Sequence, residues 1–402
     1  MQKKIIIVGG GASGYFTAIN AKELNPELDI IILEQSNNVL QKVKISGGGR
    51  CNLTHACFDA KELIQFYPRG AKELLGAFNT FMTFDTIEWF EKRGVPLKIE
   101  SDGRVFPKAN KSDAIIDCFE KAINELGIKV LKNYKVLSFF PSNGSWIIKT
   151  NQKIFEANKL VIASGNSKTI WESASRIGCN IIKPVPSLFT FNIQDKRLTG
   201  LSGVTVPCAT VKINDTKLES MGALLITHWG MSGPAILKLS SFAARVLAEK
   251  NYRYDITVNW VSKNIDEVLT TLLNFKKTHA RKRIVLKSPF LEISKRHWKR
   301  LLHTSNITEI QNWADISSTQ MQNLSTELTK SIYHASGRSC FKDEFVTAGG
   351  VDLKEINCKT FESKIHKNIF FVGETLNIDG VTGGFNFQNA WTTAFICAKA
   401  LS

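Results

Sequence analysis

Ile5-Ile6-Ile7-Val8-Gly9-Gly10-Gly11-Ala12-Ser13-Gly14 decides the fold of this chain, because a four-residue apolar run enters a glycine turn and a small-residue helix follows. A second apolar run, Asp29 to Leu33, ends at Glu34. The spacing is strand, turn, helix, strand, acid, which is the context a dinucleotide-binding fingerprint requires. Gly9 permits the tight turn, Gly11 lets a pyrophosphate approach the backbone, and Gly14 lets the helix sit close to the sheet. The helix start at Ala12 and Ser13 directs free N–H groups at the phosphates. Glu34 stands where a carboxylate accepts from a ribose diol, and Gln35 follows it. On these residues alone the dinucleotide is NAD or FAD.

Two further glycine-rich stretches extend the site. Ser46-Gly47-Gly48-Gly49-Arg50-Cys51-Asn52-Leu53-Thr54 supplies a backbone-rich loop able to lie against a planar ligand. Near the C-terminus Ile369 to Val372 runs into Gly373-Glu374, then Asp379-Gly380-Val381-Thr382-Gly383-Gly384-Phe385-Asn386-Phe387-Gln388 and a small-residue helix from about Asn389 to Leu401. Cofactor surfaces at both ends of the sequence imply one domain split in sequence.

Gly49 to Thr54, Thr227-His228-Trp229-Gly230-Met231-Ser232-Gly233-Pro234-Ala235, Thr347 to Val351 and Asp379 to Gln388 together resemble the HI0933-like bacterial flavoproteins, also described as BaiN-type, aminoacetone oxidase-like or NAD(P)/FAD-dependent oxidoreductases. The resemblance runs in collinear order over nearly the whole chain. It implies an α/β fold: a Rossmann-like FAD-binding domain split in sequence, an inserted antiparallel β-rich domain, and a small helical insert. The expected segments are 1–185 with 345–402 for FAD binding, 186–261 with 314–344 for the β-rich domain, and 262–313 for the insert. Besides Gly9, Gly11, Ala12, Ser13, Gly14, Glu34 and Gln35, the candidate FAD contacts are Lys42, Ser46, Gly48, Gly49, Arg50, Asn52, Thr54, Val136, Ser164, Gly165, Gly373, Glu374, Asp379, Gly384, Phe385 and Asn386. The chain departs from the family pattern at His55, at Asn377, and at Ala163-Ser164-Gly165-Asn166, where Asn166 is expected to tolerate a left-handed turn.

Candidate catalytic residues are Arg50, to stabilise negative charge; Cys51, as a thiol or a packing residue; and His228, as a substrate-binding or proton-transfer group. Each has a plainer structural role by residue type: a loop salt bridge, core packing, a loop closure. The eight cysteines, Cys51, Cys57, Cys118, Cys179, Cys208, Cys340, Cys358 and Cys397, lack metal-ligand spacing, so neither a zinc site nor a disulfide framework is expected. With 43% hydrophobic and 22% charged residues in 402, the composition is globular, and the absence of a leader or spanning segment implies a cytoplasmic protein.

Between these landmarks, Glu62 to Gly94 is expected to be a helical layer, Asp113 to Leu126 an amphipathic helix, and Lys159 to Ala163 a central parallel strand. Val204 to Pro207 and Ala209 to Ile213 are expected as separate antiparallel strands, and Ser232 as the cap of a helix that Pro234 begins. In 262–313, Ile265, Val268, Leu269, Leu272 and Leu273 mark one helix face, and Trp298 and Trp313 are expected to form the insert's own small core. The insert holds eleven Lys or Arg against four acids, plus seven of the formal net charge of +16.

The function this implies is hydride transfer between FAD and a small unsaturated or carbonyl-type molecule, with NAD(P)H as a transient reductant. A solvated basic face is the plainer reading of the insert. The alternatives are an RNA-modifying flavoenzyme, which would use that charge, and a flavin-binding regulatory protein without turnover.

Overall fold

A computed structural model describes residues 3–339 and 346–402. Cys340 and Phe345, and with them the seam between the two last-named segments, lie outside the described residues. Two compact units are present, Met1–Val185 with Val346–Ser402, and Pro186–Phe345.

In the first unit the apolar runs form a parallel sheet. Lys4–Val8 lies between Asp29–Leu33 and Lys159–Ile162, with Val8 opposite both Leu33 and Ile162. Lys129–Leu131 extends one side and Ile369–Phe371 the other, so the C-terminal segment completes the sheet beside Lys159–Ile162. Ile5, Ile6 and Ile7 are fully buried, as continuous apolar strands covered on both faces must be. Helices Ala12–Leu24 and Phe385–Leu401 pack together. Phe16 meets Trp391 at 5.2 Å between ring centroids, and Phe119 and Phe90 close on the same indole.

The expected helical layer over 62–94 is three helices, Ala60–Leu63, Ala71–Phe78 and Thr83–Lys92. Pro68 offers no N–H and Gly70 takes φ 79°, so the first break is built into Pro68-Arg69-Gly70. The amphipathic helix is Asp113–Glu125. The left-handed residue of the 163–166 turn is Gly165 at φ 61°, and Asn166 is not needed for it.

The second unit is a closed antiparallel barrel of Thr190–Ile193, Gly230–Ser232, Glu219–Ile226, Thr205–Ile213, Arg253–Asn259 and Ser331–Ser339, in that order around the ring. The two short strands expected before Ile213 are one, Thr205–Ile213, with a register shift between Val206 and Ala209. Pro207, which cannot donate to a ladder, sits inside the shift. Pro234 begins its helix, but the cap is Gly233 without a side-chain bond; Ser232 instead belongs to a strand and accepts from Thr190 at 3.1 Å.

The basic segment forms helices Ile265–His279 and Lys295–Thr304. Val268 and Leu272 are fully buried, whereas Leu273 faces solvent. Trp298 and Trp313 share one apolar cluster with the barrel residue Val258 and with Trp260 just beyond that strand, so the insert does not have the separate core expected for it.

His297, edge-on to Trp260 at 4.4 Å, has an Nδ1 without a hydrogen-bond partner, and burial holds its imidazole down at about 4. The unfolded imidazole titrates near 6.5, so as pH falls the unfolded state takes the proton first. Stability is unaffected above about 6.5 and declines below it. Between pH 7 and 5, wild type is expected to lose about 2 kcal/mol more than His297→Phe in urea unfolding; parallel losses would show that the imidazole ionises freely in the fold.

Candidate functional site

The first turn does what its glycines require. Gly9 has φ 113°, and its N–H donates to Leu33 O at 2.8 Å. A Cβ there would stand 2.5 Å from Ala163 O, and one on Gly14 would stand 2.0 Å from Gly9 O. Both positions therefore exclude side chains. Gly11 differs: its backbone is extended, and a Cβ would meet no atom within 4 Å. The helix from Ala12 has no side-chain cap, so no side chain takes up its first N–H groups, and an uncapped helix start of this kind can hold a phosphate.

Glu34 closes the turn. Its Oε2 accepts from Gly10 N at 2.8 Å and its Oε1 from Ser36 N at 2.9 Å. A carboxylate has lone pairs to spare for a diol. Gln35 beside it is exposed. Tyr134 N donates to Glu34 O at 2.8 Å, which brings the buried Val136 to the same end of the sheet.

The two distant loops meet. Ser46 is extended at ψ 151°, and Gly47, Gly48 and Gly49 all have positive φ; a Cβ on Gly48 or Gly49 would touch nothing. Thr54 Oγ1 donates to Gln388 Oε1 at 2.6 Å, Thr86 Oγ1 donates to the same oxygen at 2.9 Å, and Trp391 Nε1 donates to Leu53 O at 3.0 Å. The Asn52 amide, oriented to satisfy both of its ends, donates to Thr54 O and accepts from Gly384 N at 3.0 Å. Gly384 is obligatory, since a Cβ would lie 2.5 Å from Thr54 O.

On the C-terminal side Gly373 N donates to Thr393 Oγ1 at 2.9 Å, and a Cβ on Gly373 would press on the Ser13 hydroxyl at 2.8 Å. Glu374 pairs with Lys42 at 2.5 Å and accepts from Thr347 N at 3.1 Å. Asn386 closes its own loop through Gly380, donating to its carbonyl at 2.8 Å and accepting from its N–H at 2.9 Å. Phe385 stacks on Phe66 at 4.3 Å and on His55 at 4.9 Å. Asp379, fully buried, is held bidentately by Arg69. Arg69 is the residue that sequence reading missed; its only sign is a lone cation in the Pro68–Gly70 break.

Arg50 lies over the Phe106 ring, 3.9 Å from its centroid, and pairs with Glu100 at 2.7 Å. Arg104 and Lys98 reach the same carboxylate at 3.3 and 3.7 Å, so Glu100 is outnumbered. Cys51 is fully buried at φ 60°, and burial pushes its thiol up to about 12, which Ser46 offsets only in part. The thiolate a nucleophile needs is suppressed. His228 belongs to the second unit, exposed on the turn between Glu219–Ile226 and Gly230–Ser232.

These residues fit FAD. The open side of Gly11 and the bare Gly48-Gly49 backbone leave room for a dinucleotide and a planar ring. The Ser164 hydroxyl, buried without a partner at the mouth of the parallel sheet, is an unused polar group beside it. Fold and site together define a Rossmann-type FAD-dependent oxidoreductase. The model of the HI0933-like protein Rossmann domain matches residues 3–400, and the chain belongs to that family.

The chain is 25% identical to a 3-dehydro-bile acid delta(4,6)-reductase of Clostridium scindens, over 99% of both chains. It is 26% identical to a ribosomal RNA dihydrouridine synthase of Haemophilus influenzae, over 99% of this chain and 98% of that one. Among solved structures, a 3-ketosteroid-delta4-(5alpha)-dehydrogenase from Rhodococcus jostii shares the fold at a TM-score of 0.51 with 11% identity, over 98% of this chain and 97% of that one. No helix among the described residues is long and apolar enough to cross a membrane.

Proposed function

We propose that the chain reduces a carbon–carbon double bond conjugated to a carbonyl, and that the acceptor is a uracil ring carried by RNA. The reactions named for both relatives saturate such a bond: the delta(4,6) double bonds of a 3-keto steroid, and the double bond beside the 4-carbonyl of uridine. In each case the carbon remote from the carbonyl gains a hydride and the adjacent carbon gains a proton. The observation that carries the choice of RNA is the charge, +16 over the chain with plus seven of it in residues 262–313; polyphosphate is the partner such a surplus attracts. A free unsaturated ketone is the second reading, favoured by the full-length likeness to the bile acid reductase.

FAD, when bound and reduced, supplies the hydride. Where NAD(P)H is the reductant it docks transiently at the flavin, because the sequence holds only one strand-preceded dinucleotide turn and so no separate nicotinamide domain. In this reading Gly9, Gly11, Ala12, Ser13, Gly14 and Glu34 hold the pyrophosphate and ribose, and Gly48, Gly49, Asn52 and Gly384 shape the surface for the ring. Arg50 stabilises the negative charge that develops on the acceptor's carbonyl oxygen or on the reduced cofactor. His228, exposed on its turn, is retained as the candidate substrate-binding or proton-transfer group. Cys51 fills space, and a cytoplasmic setting suits free thiols such as Cys57 and Cys118.

Arg50→Met is expected to keep its FAD yet slow flavin reduction or acceptor turnover roughly ten- to a hundredfold, the value of one charge-assisted hydrogen bond of about 1.5 to 3 kcal/mol. Cys51→Ser should stay near the wild-type rate. Anaerobic stopped-flow reduction with NADH and NADPH, followed by mixing with RNA or an enone, measures both; an inactive Cys51→Ser beside an unimpaired Arg50→Met would reverse the two assignments.

A further inference from the structure

From Arg281 to Arg300 the chain carries eight cations, Arg281, Lys282, Arg283, Lys287, Lys295, Arg296, Lys299 and Arg300, against the single acid Glu292. Among the described residues only Lys299 of these eight has an ion pair, with Glu309 at 2.8 Å. Arg300 and Arg296 donate instead to the carbonyls of Thr199 and Gly200, at 2.7 and 3.4 Å. Arg281, Lys282, Arg283, Lys287 and Lys295 are exposed.

The segment is rigidly built. Ala314 N donates to Ala280 O at 2.9 Å, Trp313 N to Lys282 O at 3.0 Å and Ile284 N to Gln311 O at 3.1 Å, so the Arg281-Lys282-Arg283 run is pinned as one side of a ribbon. Trp298 Nε1 donates to Ile284 O at 3.0 Å, which ties helix Lys295–Thr304 to that ribbon. On this helix His297, Trp298, Leu301 and Leu302 are buried, leaving Lys295, Arg296, Lys299, Arg300 and His303 on the opposite side. Its first turn holds Lys295 and Arg296 and no acid. Cations at the positive end of a helix dipole cost stability, so folding alone does not account for them; an anion docked there does.

We propose that this surface, the 281–287 ribbon with the outer face of helix Lys295–Thr304, docks the phosphate backbone of a folded RNA. The inference rests on the reading that RNA carries the acceptor. An anionic membrane fits less well, because a helix lying in a lipid interface needs its apolar side outward, and here that side is the buried one.

The test compares two fivefold variants for binding to deproteinised bacterial ribosomal RNA across a salt series. One is Arg281→Gln with Lys282→Gln, Arg283→Gln, Lys287→Gln and Lys295→Gln. The other is a charge-matched control on the first unit, Lys61→Gln with Lys72→Gln, Lys108→Gln, Lys129→Gln and Lys132→Gln. If each of the five cations meets a phosphate, the slope of log affinity against log salt should be shallower by about four in the first variant and unchanged in the control, with FAD content equal in all. Equal losses in both variants, or wild-type binding by the first, would overturn the proposal. So would wild-type protein that ignores RNA but binds phosphatidylglycerol vesicles through the same five residues. RNA binding that maps to this surface without dihydrouridine in the product removes the acceptor reading and leaves the docking surface standing. Dihydrouridine formed equally well by the first variant at every salt concentration does the reverse.

Discussion

Gly11→Val is expected to fold and to lose its FAD. A Cβ at this position meets nothing within 4 Å and the backbone is extended at φ −96°, so the branch point strains neither the turn nor the sheet. The branched side chain instead fills the space that the pyrophosphate must enter. Losing two charge-assisted hydrogen bonds of about 1.5 to 3 kcal/mol each would weaken retention roughly a hundredfold or more. Flavin absorbance per mole of purified protein, with circular dichroism to show the fold, measures it. Gly9→Val and Gly14→Val are the informative contrasts, because both collide with backbone and should fail in folding first. A Gly11→Val protein that stays fully yellow would place the phosphates elsewhere.

The largest stability loss is expected at Arg69. Asp379 is fully exposed to no solvent and its carboxylate is engaged bidentately by Arg69, whose side chain is itself only 12% exposed. Arg69→Leu removes the bidentate cation from a buried carboxylate and should cost about 3 to 5 kcal/mol in urea unfolding at fixed FAD. The double variant Arg69→Leu with Asp379→Asn should recover part of that loss, since the amide carries no charge to strand. A single variant within about 0.5 kcal/mol of wild type, the ordinary surface range, would mean that water or another group already serves Asp379. Because the same pair anchors the entrance to the Asp379–Gln388 loop, Arg69→Leu should also loosen FAD.

How far the sequence discloses all this depends on the range of the interaction. Ile5 to Val8 reads as a strand buried on both faces because four apolar residues in succession leave no face for water, and the glycine positions are readable because each has a distinct steric purpose. The 207 bulge was also within reach, since a proline inside an alternating run argues against a regular ladder. Contacts across hundreds of residues have no such local sign. Nothing near Asp379 points to Arg69, and nothing near Thr54 points to Gln388, although these pairs hold the site together.

The roles of single polar residues were least legible. Asn386 in a glycine-rich loop reads as a ligand contact, while the closure its amide makes on Gly380 has no local sign. Ser232 reads as a helix cap, but the left-handed Gly233 intervenes and the hydroxyl faces Thr190. Trp298 and Trp313 were legible as core residues but not as part of the barrel's core, because periodicity identifies a buried face without naming what covers it.

The most direct measurement mixes the dithionite-reduced, FAD-bound protein anaerobically with deproteinised ribosomal RNA in one syringe and a 3-keto-4-ene steroid in another, following flavin absorbance and the mass of the acceptor. Flavin reoxidation matched by the gain of two hydrogens per acceptor is expected, with uracil in RNA reacting faster than the steroid. Flavin that stays reduced against both, and reoxidises only when oxygen is admitted, would contradict reduction of a conjugated double bond as the reaction of this chain.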